Sequence, residues 1–216
     1  MRIGLLLVFV IIFALLASAF LLLFPKQSAT VVPTRPLTQE FTSTPTPTTT
    51  QEKIVEPIAE FQKRITKKSF ATFITPENSP VQPEKFSGYH TGVDVEYEEV
   101  TRDVPVLAIT NGEVVVSRTA SGYGGLMVIR HIINNKEVFA LYGHLDPVSM
   151  KKVNARITAG EKIAILGDNK TTETDGERKH LHFGILKTST VNLAGYVQNK
   201  EDLENWYNPT EFLQNY

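Results

Sequence analysis

Apolar residues are distributed along this chain in three ways, and each predicts a different kind of structure. Residues 3–24 form an almost unbroken apolar run, whereas residues 25–51 are rich in threonine and proline. From residue 69 onward, short apolar segments alternate with turn-forming residues. The pattern therefore predicts a helix of membrane-spanning length, a linker, and a mostly β domain at 69–216.

The first apolar run contains no charged residue, and Pro25 and Lys26 follow it. About 20 apolar residues span a bilayer as a helix, so we expect a transmembrane anchor at 1–24 that contacts lipid through residues 3–24. The alternative is a signal peptide cleaved near Ala17-Ser18-Ala19, which would leave an apolar segment exposed on the mature protein. The first interpretation predicts a single-pass protein of the cell membrane with an extracytoplasmic domain, and the second predicts secretion.

Two connecting segments follow the anchor. Residues 25–51 predict an extended Thr/Pro-rich linker, because their composition buries too little apolar surface to offset the entropy of ordering. Residues 52–68 predict either a short helix or a second linker. The apolar positions at nearly helical spacing in this second segment are Ile54, Ile58, Phe61 and Ile65.

The domain at 69–216 shows the strand and turn spacing of a β-sandwich or barrel. Strands are predicted at 104–109, 113–117, 126–133, 138–142 and 162–166. Asn111-Gly112 predicts a hairpin turn between the first two of these strands, and Asn134-Asn135-Lys136 predicts another turn. Residues 201–206 predict a short helix.

Composition limits the chemistry of the domain. The net charge is −1, so we expect no nucleic-acid partner. The chain has no cysteine, so a transition-metal site must be built from histidine and carboxylate side chains.

Lys179-His180-Leu181-His182-Phe183 is the stretch that carries the most chemical information. Alternate side chains of a strand share a face, so His180 and His182 point one way while Leu181 and Phe183 point into a core. Two neutral imidazoles are good zinc ligands. Upstream, His90 and Asp94 offer a nitrogen and a carboxylate oxygen; with one of the two strand histidines they complete a three-residue set.

Two further histidines lie outside this set. His144 lies in the turn-like stretch Tyr142-Gly143-His144-Leu145 and is a candidate base or acid beside a metal. His131 lies within a predicted strand and has no partner motif, so we interpret it as structural.

Together these motifs resemble the lysostaphin/LytM-type zinc peptidases, which cut peptide bonds in bacterial peptidoglycan. The matching segments are His90-Thr-Gly-Val-Asp94, Tyr142-Gly-His144-Leu145 and His180-Leu-His182-Phe183. The resemblance implies a compact antiparallel β-sandwich or barrel-like core of the duplicated hybrid motif type. It also implies one Zn²⁺ held by His90, Asp94 and His182, with His144 and His180 as the catalytic pair.

The loop 169–179 departs from that family by being longer and more charged. Loops at a groove affect which substrates enter it. Glu96 and Asp175 are candidates for orienting the ligand histidines through their second ring nitrogens.

The sequence thus favours a membrane-anchored zinc endopeptidase that hydrolyses cross-links or stem peptides of peptidoglycan. One alternative is a non-catalytic cell-wall-binding or amidase-activating module on the same fold. Another is a structural domain of an envelope complex that keeps zinc for stability.

Overall fold

The computed structural model describes residues 53–188 and 190–216. The predicted anchor at 1–24 and the Thr/Pro-rich linker at 25–51 lie outside the described residues. Within the described ranges, no helix has both the length and the apolar character needed to cross a membrane.

The described residues form short helices and twelve β-strands. The strands are β1 (Phe73–Ile74), β2 (Gly88–His90), β3 (Gly92–Glu96), β4 (Pro105–Leu107), β5 (Gly112–Ala120), β6 (Gly124–Ile133), β7 (Lys136–Leu145), β8 (Arg156–Ile157), β9 (Lys162–Ile165), β10 (His180–Leu186), β11 (Tyr196–Val197) and β12 (Trp206–Tyr207). The helices are the 3₁₀ turns η1 (Gln62–Arg64), η2 (Thr172–Thr174) and η3 (Lys200–Asn205), and the α-helix α1 (Pro209–Asn215).

The strands form three sheets. The largest has seven strands in the order β12-β10-β7-β6-β5-β8, with β3 also pairing with β10. A three-stranded sheet has the order β1-β2-β11, and β4 pairs with β9. Every pairing among these strands is antiparallel, which confirms the prediction of a mostly β, antiparallel fold.

The β6–β7 hairpin forms where the sequence predicts a turn. Asn134 and Asn135 have φ angles of 50° and 60°, and Ile133 pairs with Lys136 across them. Two successive residues with positive φ give a turn whose twist matches that of the flanking strands, and asparagine adopts this conformation at low cost.

The hairpin predicted at Asn111-Gly112 is wrong. The strand before it, β4, pairs with β9, and β5 pairs with β6 and β8. Gly112 is instead the first residue of β5, where an added Cβ would lie 2.5 Å from the carbonyl oxygen of Arg130. Gly112 is therefore needed because two strands approach closely at this position and leave no room for a side chain. Glycine is favoured both at such close contacts and in tight turns, so its presence alone did not distinguish between them.

Apolar side chains cover both faces of the large sheet. In β6, Met127 and Ile129 belong to one buried cluster, whereas Leu126 and Val128 belong to another. This explains why β6 is a nearly continuous apolar run in the sequence rather than an alternating one.

The segment 52–68, expected to be a short helix or linker, contains η1 in its described part. Its Ile58 and Phe61 are fully buried. The ring of Phe61 meets that of Phe183 edge-on, with 5.8 Å between the centroids. Residues 53–68 therefore pack into the same core as the strands.

The end of the chain is helical in two places. The short helix expected at 201–206 is the 3₁₀ turn η3, and α1 was not predicted. The side chain of Asn208 accepts a hydrogen bond from the Thr210 N–H, and Pro209 occupies the first position of α1. Both are helix-start signals that are present in the sequence.

Candidate metal centre

Three strands bring the predicted ligand residues together. His90 ends β2, Asp94 lies in β3, and His182 lies in β10 directly opposite Asp94. Gly92 allows the close approach of β3 to β10, because a Cβ there would lie 2.5 Å from the carbonyl oxygen of Phe183. The glycine in the His90–Asp94 motif is thus needed for packing beside the site.

The three side chains converge on one point. His90 Nε2 lies 3.1 Å from His182 Nδ1 and 3.2 Å from Asp94 Oδ1, and the last two atoms are 3.2 Å apart. Ligand bonds of about 2.0–2.1 Å in tetrahedral geometry place ligand atoms about 3.3–3.4 Å apart. The three atoms therefore fit the spacing that zinc requires, and all three residues are buried.

The hydrogen bonding of this trio favours a cation. The Nδ1–H of His90 donates to the Ser69 carbonyl at 3.2 Å, which leaves Nε2 as an acceptor facing the other two ligand atoms. The Nε2 of His182 is buried with no hydrogen-bond partner in the described ranges. In the tautomer that carries the His182 proton on Nε2, three acceptor atoms meet in a buried space: His90 Nε2, His182 Nδ1 and Asp94 Oδ1. A cation between them would offset the cost of burying these acceptors together.

His144 and His180 lie beside this trio, with 4.2 Å between their ring centroids. The Nδ1–H of His144 donates to the Thr174 carbonyl, and that of His180 donates to the Arg178 carbonyl, at 3.2 and 2.8 Å. In both rings Nδ1 is thus occupied, and Nε2 is the nitrogen available to a molecule in the cavity. His180 Nε2 lies 3.5 Å from the second carboxylate oxygen of Asp94.

A bulge in β7 aims the His144 side chain. The register between β6 and β7 shifts at Gly125 and Leu126, so that Gly143 and Leu145 have partners and His144 has none. His144 has a φ of 62°, a left-handed conformation that is costly for a residue with a side chain. Backbone strain at this position is consistent with a functional constraint on the direction of the imidazole.

Burial disfavours the charged forms of His144, His180 and His182. It lowers the pKa of His144 to about 3, a shift that the nearby Asp94 only partly opposes. Burial likewise lowers the pKa of His180, with a further contribution from the positive charge of Arg178. Burial disfavours ionisation of Asp94, but His180, His90 and His182 outweigh it and hold the pKa of that carboxyl well below its usual value. At neutral pH the site therefore combines the Asp94 carboxylate with neutral imidazoles at His144, His180 and His182.

A cavity of about 280 Å³ opens beside the site. Among the predicted site residues, those that line it are Asp94, His144, His180 and His182. Phe86 stacks on Tyr196 with 5.8 Å between centroids, and a Cβ added to Gly122 would lie 3.2 Å from the Phe86 ring. Phe86 thus lies close to two separate segments of the cavity wall.

Residues 88–193 match peptidase family M23. This stretch contains all five predicted site residues and the strands that position them. The chain carries a peptidase family M23 domain.

One curated protein also matches part of the chain. The chain is similar to an uncharacterized protein of Haemophilus influenzae, 37% identical over 95 residues, which is 44% of this chain and 21% of that protein. The match thus spans about a fifth of the length of this curated relative.

Solved structures provide further likenesses. The lysostaphin catalytic domain from Staphylococcus simulans is 22% identical, covers 74% of this chain and 99% of its own, and has a TM-score of 0.49. LytU is 27% identical, with 69% and 86% covered and a TM-score of 0.45. A chain of the SpoIIQ–SpoIIIAH pore-forming complex is 17% identical, with 75% of this chain and 91% of that chain covered and a TM-score of 0.50. At this level of identity the similarity concerns the fold alone.

The M23 domain also contains a site residue that sequence reasoning missed. Arg178 is buried and contacts both Asp94 and Glu96. The expectation that Glu96 and Asp175 orient histidines is wrong. Glu96 accepts hydrogen bonds from Arg178, and Asp175 accepts one from the backbone N–H of Gly122. The Nδ1–H groups of His90, His144 and His180 donate to backbone carbonyls instead. The one sequence feature that pointed to Arg178 was the high charge of the loop 169–179, which precedes β10.

Proposed function

We propose that this protein is a zinc-dependent endopeptidase that hydrolyses peptide bonds in peptidoglycan cross-links or stem peptides. His90, Asp94 and His182 are the proposed zinc ligands, and His144 and His180 the proposed catalytic residues. The strongest support is the convergence of three buried ligand atoms within 3.2 Å of one another, next to two imidazoles with free Nε2 atoms.

A three-residue ligand set favours catalysis over a purely structural role. Structural zinc sites usually have four protein ligands, whereas catalytic sites keep one position open. Zinc bound to such a set supplies Lewis acidity and lowers the pKa of water to about 7.

The side chains of the cavity have the properties that peptide hydrolysis requires. His144 and His180 are neutral, and hydrogen bonds to backbone carbonyls fix their tautomers. Their Nε2 atoms are thus able to accept a proton from attacking water and to return it to the leaving amine. Either imidazole, once protonated, is also able to donate a hydrogen bond to the developing oxyanion.

The remainder of the chain supports a location at the cell envelope. The apolar run at 3–24 is long enough to anchor the protein in the cell membrane, with the M23 domain outside the cytoplasm. The Thr/Pro-rich segment 25–51 then acts as an extended linker that lets the domain reach the wall. Membrane fractionation of cells that express the full chain tests this location: recovery in the soluble fraction contradicts it.

The activity is tested by incubating the full chain with purified cell walls and with zinc. We expect new free amino groups and shorter muropeptides in mass spectra, and exhaustive chelation should abolish both. The identity of the released peptides assigns the bond that is cut.

The alternatives give different results in the same assay. A wall-binding or amidase-activating module binds the walls without releasing amino groups, and a structural domain does neither. Full hydrolytic activity after complete chelation would falsify the zinc assignment.

A further inference from the structure

Arg178 forms a buried ionic network next to the candidate metal site. Its Nη2 donates to Asp94 Oδ2 at 2.8 Å and to Glu96 Oε1 at 2.7 Å, and its Nε donates to Glu96 Oε2 at 2.8 Å. The exposed fractions of the Arg178, Asp94 and Glu96 side chains are 3%, 3% and 9%. One guanidinium therefore neutralises part of two carboxylates in a space that excludes most water.

The network divides the two oxygens of Asp94 between different partners. Oδ2 accepts the hydrogen bond from Arg178, whereas Oδ1 faces His90 and His182 at 3.2 Å. A carboxylate without such a partner can present either oxygen, or both, to a metal ion. The bond from Arg178 thus selects Oδ1 as the oxygen available to the site.

Glu96 explains why the guanidinium stays in this orientation. It lies two residues after Asp94 in β3, so both carboxylates project from the same face of the strand. It engages Arg178 through two parallel hydrogen bonds, a geometry that the planar guanidinium matches and an ammonium group does not. Arg178 also reaches the other half of the site, because its carbonyl accepts the Nδ1–H of His180.

We infer that Arg178 is a positioning residue for the zinc site, anchored by Glu96, that fixes Asp94 as a ligand through Oδ1 alone. This inference rests on the proposed function, since it assigns a role at the same metal centre. The direct consequence is a metal sphere that keeps positions free for water and substrate. A purely structural salt bridge predicts effects on folding but none on the metal sphere.

Arg178→Lys tests the inference while it keeps the positive charge. Zinc affinity of the full chain is measured by competition with a chelator, and the visible absorption of bound Co²⁺ reports coordination number. We expect about a 10–100-fold loss of zinc affinity, the range found when partners of metal ligands are replaced. We also expect a weaker Co²⁺ absorption, because a freed Oδ2 raises the coordination number.

Glu96→Gln is the second variant, and it removes one carboxylate oxygen while keeping the side-chain shape. It should lower zinc affinity less than Arg178→Lys does, and it keeps the test decisive if the first variant does not fold. Thermal unfolding with chelator present checks the folding of each protein.

Lys179→Met is the matched control. Lys179 is the next residue, its side chain is also 3% exposed, and its Nζ bonds to the Arg102 carbonyl and to Asp168 rather than to a ligand carboxylate. We expect this variant to keep the zinc affinity and Co²⁺ spectrum of the unmodified protein. Equal losses in Lys179→Met and Arg178→Lys would mean that disturbance of the loop, not the contact with Asp94, is responsible.

The outcomes separate this inference from the proposed function. If folded Arg178→Lys and Glu96→Gln bind both metals as the unmodified protein does, the positioning role is wrong and the zinc site stands. If the unmodified protein binds zinc but does not cleave walls, the peptidase proposal fails and the role of Arg178 in metal binding is still measured. If the unmodified protein binds no zinc, both are overturned.

Discussion

The four histidines of the site differ in which ring nitrogen faces its centre. His90, His144 and His180 each bond a backbone carbonyl through Nδ1 and turn Nε2 inward. His182 turns Nδ1 toward Asp94 and leaves Nε2 without a partner in the described residues. All four residues are histidines, so residue type does not distinguish the proposed ligands His90 and His182 from the proposed catalytic residues His144 and His180. The distinction comes from where the fold places each ring relative to Asp94.

Substitution of single histidines should separate metal binding from turnover. His182→Ala removes a ligand atom, so we expect loss of both zinc binding and wall cleavage. His180→Ala leaves the trio intact, so zinc should still bind while turnover falls by about 10²–10⁴, the usual contribution of a general acid or base. Zinc content and release of amino groups, measured on the same samples, check both. Retained zinc in His182→Ala, or lost zinc in His180→Ala, contradicts these assignments.

His131 should make stability depend on pH. It is fully buried in β6, and burial lowers its pKa from 6.5 to about 4. Between these values the unfolded chain binds a proton that the folded chain does not, so stability is lost as pH falls from 6.5 toward 4. By about pH 4 the free energy of unfolding should have fallen by on the order of 3 kcal/mol through His131 alone.

The variant His131→Asn isolates this contribution, because its amide can still donate to the Asn111 carbonyl that now accepts the His131 Nδ1–H. Urea unfolding at pH 7 and pH 4 should show a smaller pH effect for the variant. Identical pH effects in the two proteins would show that His131 does not carry it.

Elements that depend on local pattern were predicted well from the sequence. The period of two placed His180 and His182 on one face of β10, and Asn134-Asn135 marked a hairpin turn. The hairpin at Asn111-Gly112 failed because the same residues serve contacts with strands distant in sequence. Contacts such as Arg178 with Glu96 join segments 82 residues apart, and no local spacing encodes them.

The segment before residue 69 should contribute substantially to stability. Phe61 is fully buried against Phe183, a core residue of β10. Phe61→Ala creates a cavity there, so we expect a loss of about 3–5 kcal/mol in the free energy of unfolding. Val148→Ala is the control: Val148 is 94% exposed, and the change should stay within about 0.5 kcal/mol. Equal stability of the two variants in urea unfolding would mean that this segment is only a linker.

At the scale of the whole molecule, the site joins two sheets. His90 belongs to the three-stranded sheet, whereas Asp94 and His182 belong to the large one. A metal ion held by all three therefore links segments that are separated by 92 residues in the chain. Because the unfolded chain does not hold these groups together, metal binding should stabilise the fold.

Zinc should raise the melting temperature of the protein. At a free zinc concentration of about 100 times Kd, binding to the folded state contributes about 2.7 kcal/mol. For a domain of this size that amounts to roughly 5–11 °C, and zinc binding to unfolded histidines would reduce the shift. Calorimetry with zinc and with chelator measures the difference, and His182→Ala should show a much smaller one. If zinc raised the melting temperature of His182→Ala as much as that of the unmodified protein, the zinc would be bound elsewhere. The variant keeps every other histidine and lacks the imidazole through which β10 would share the metal ion with β2 and β3.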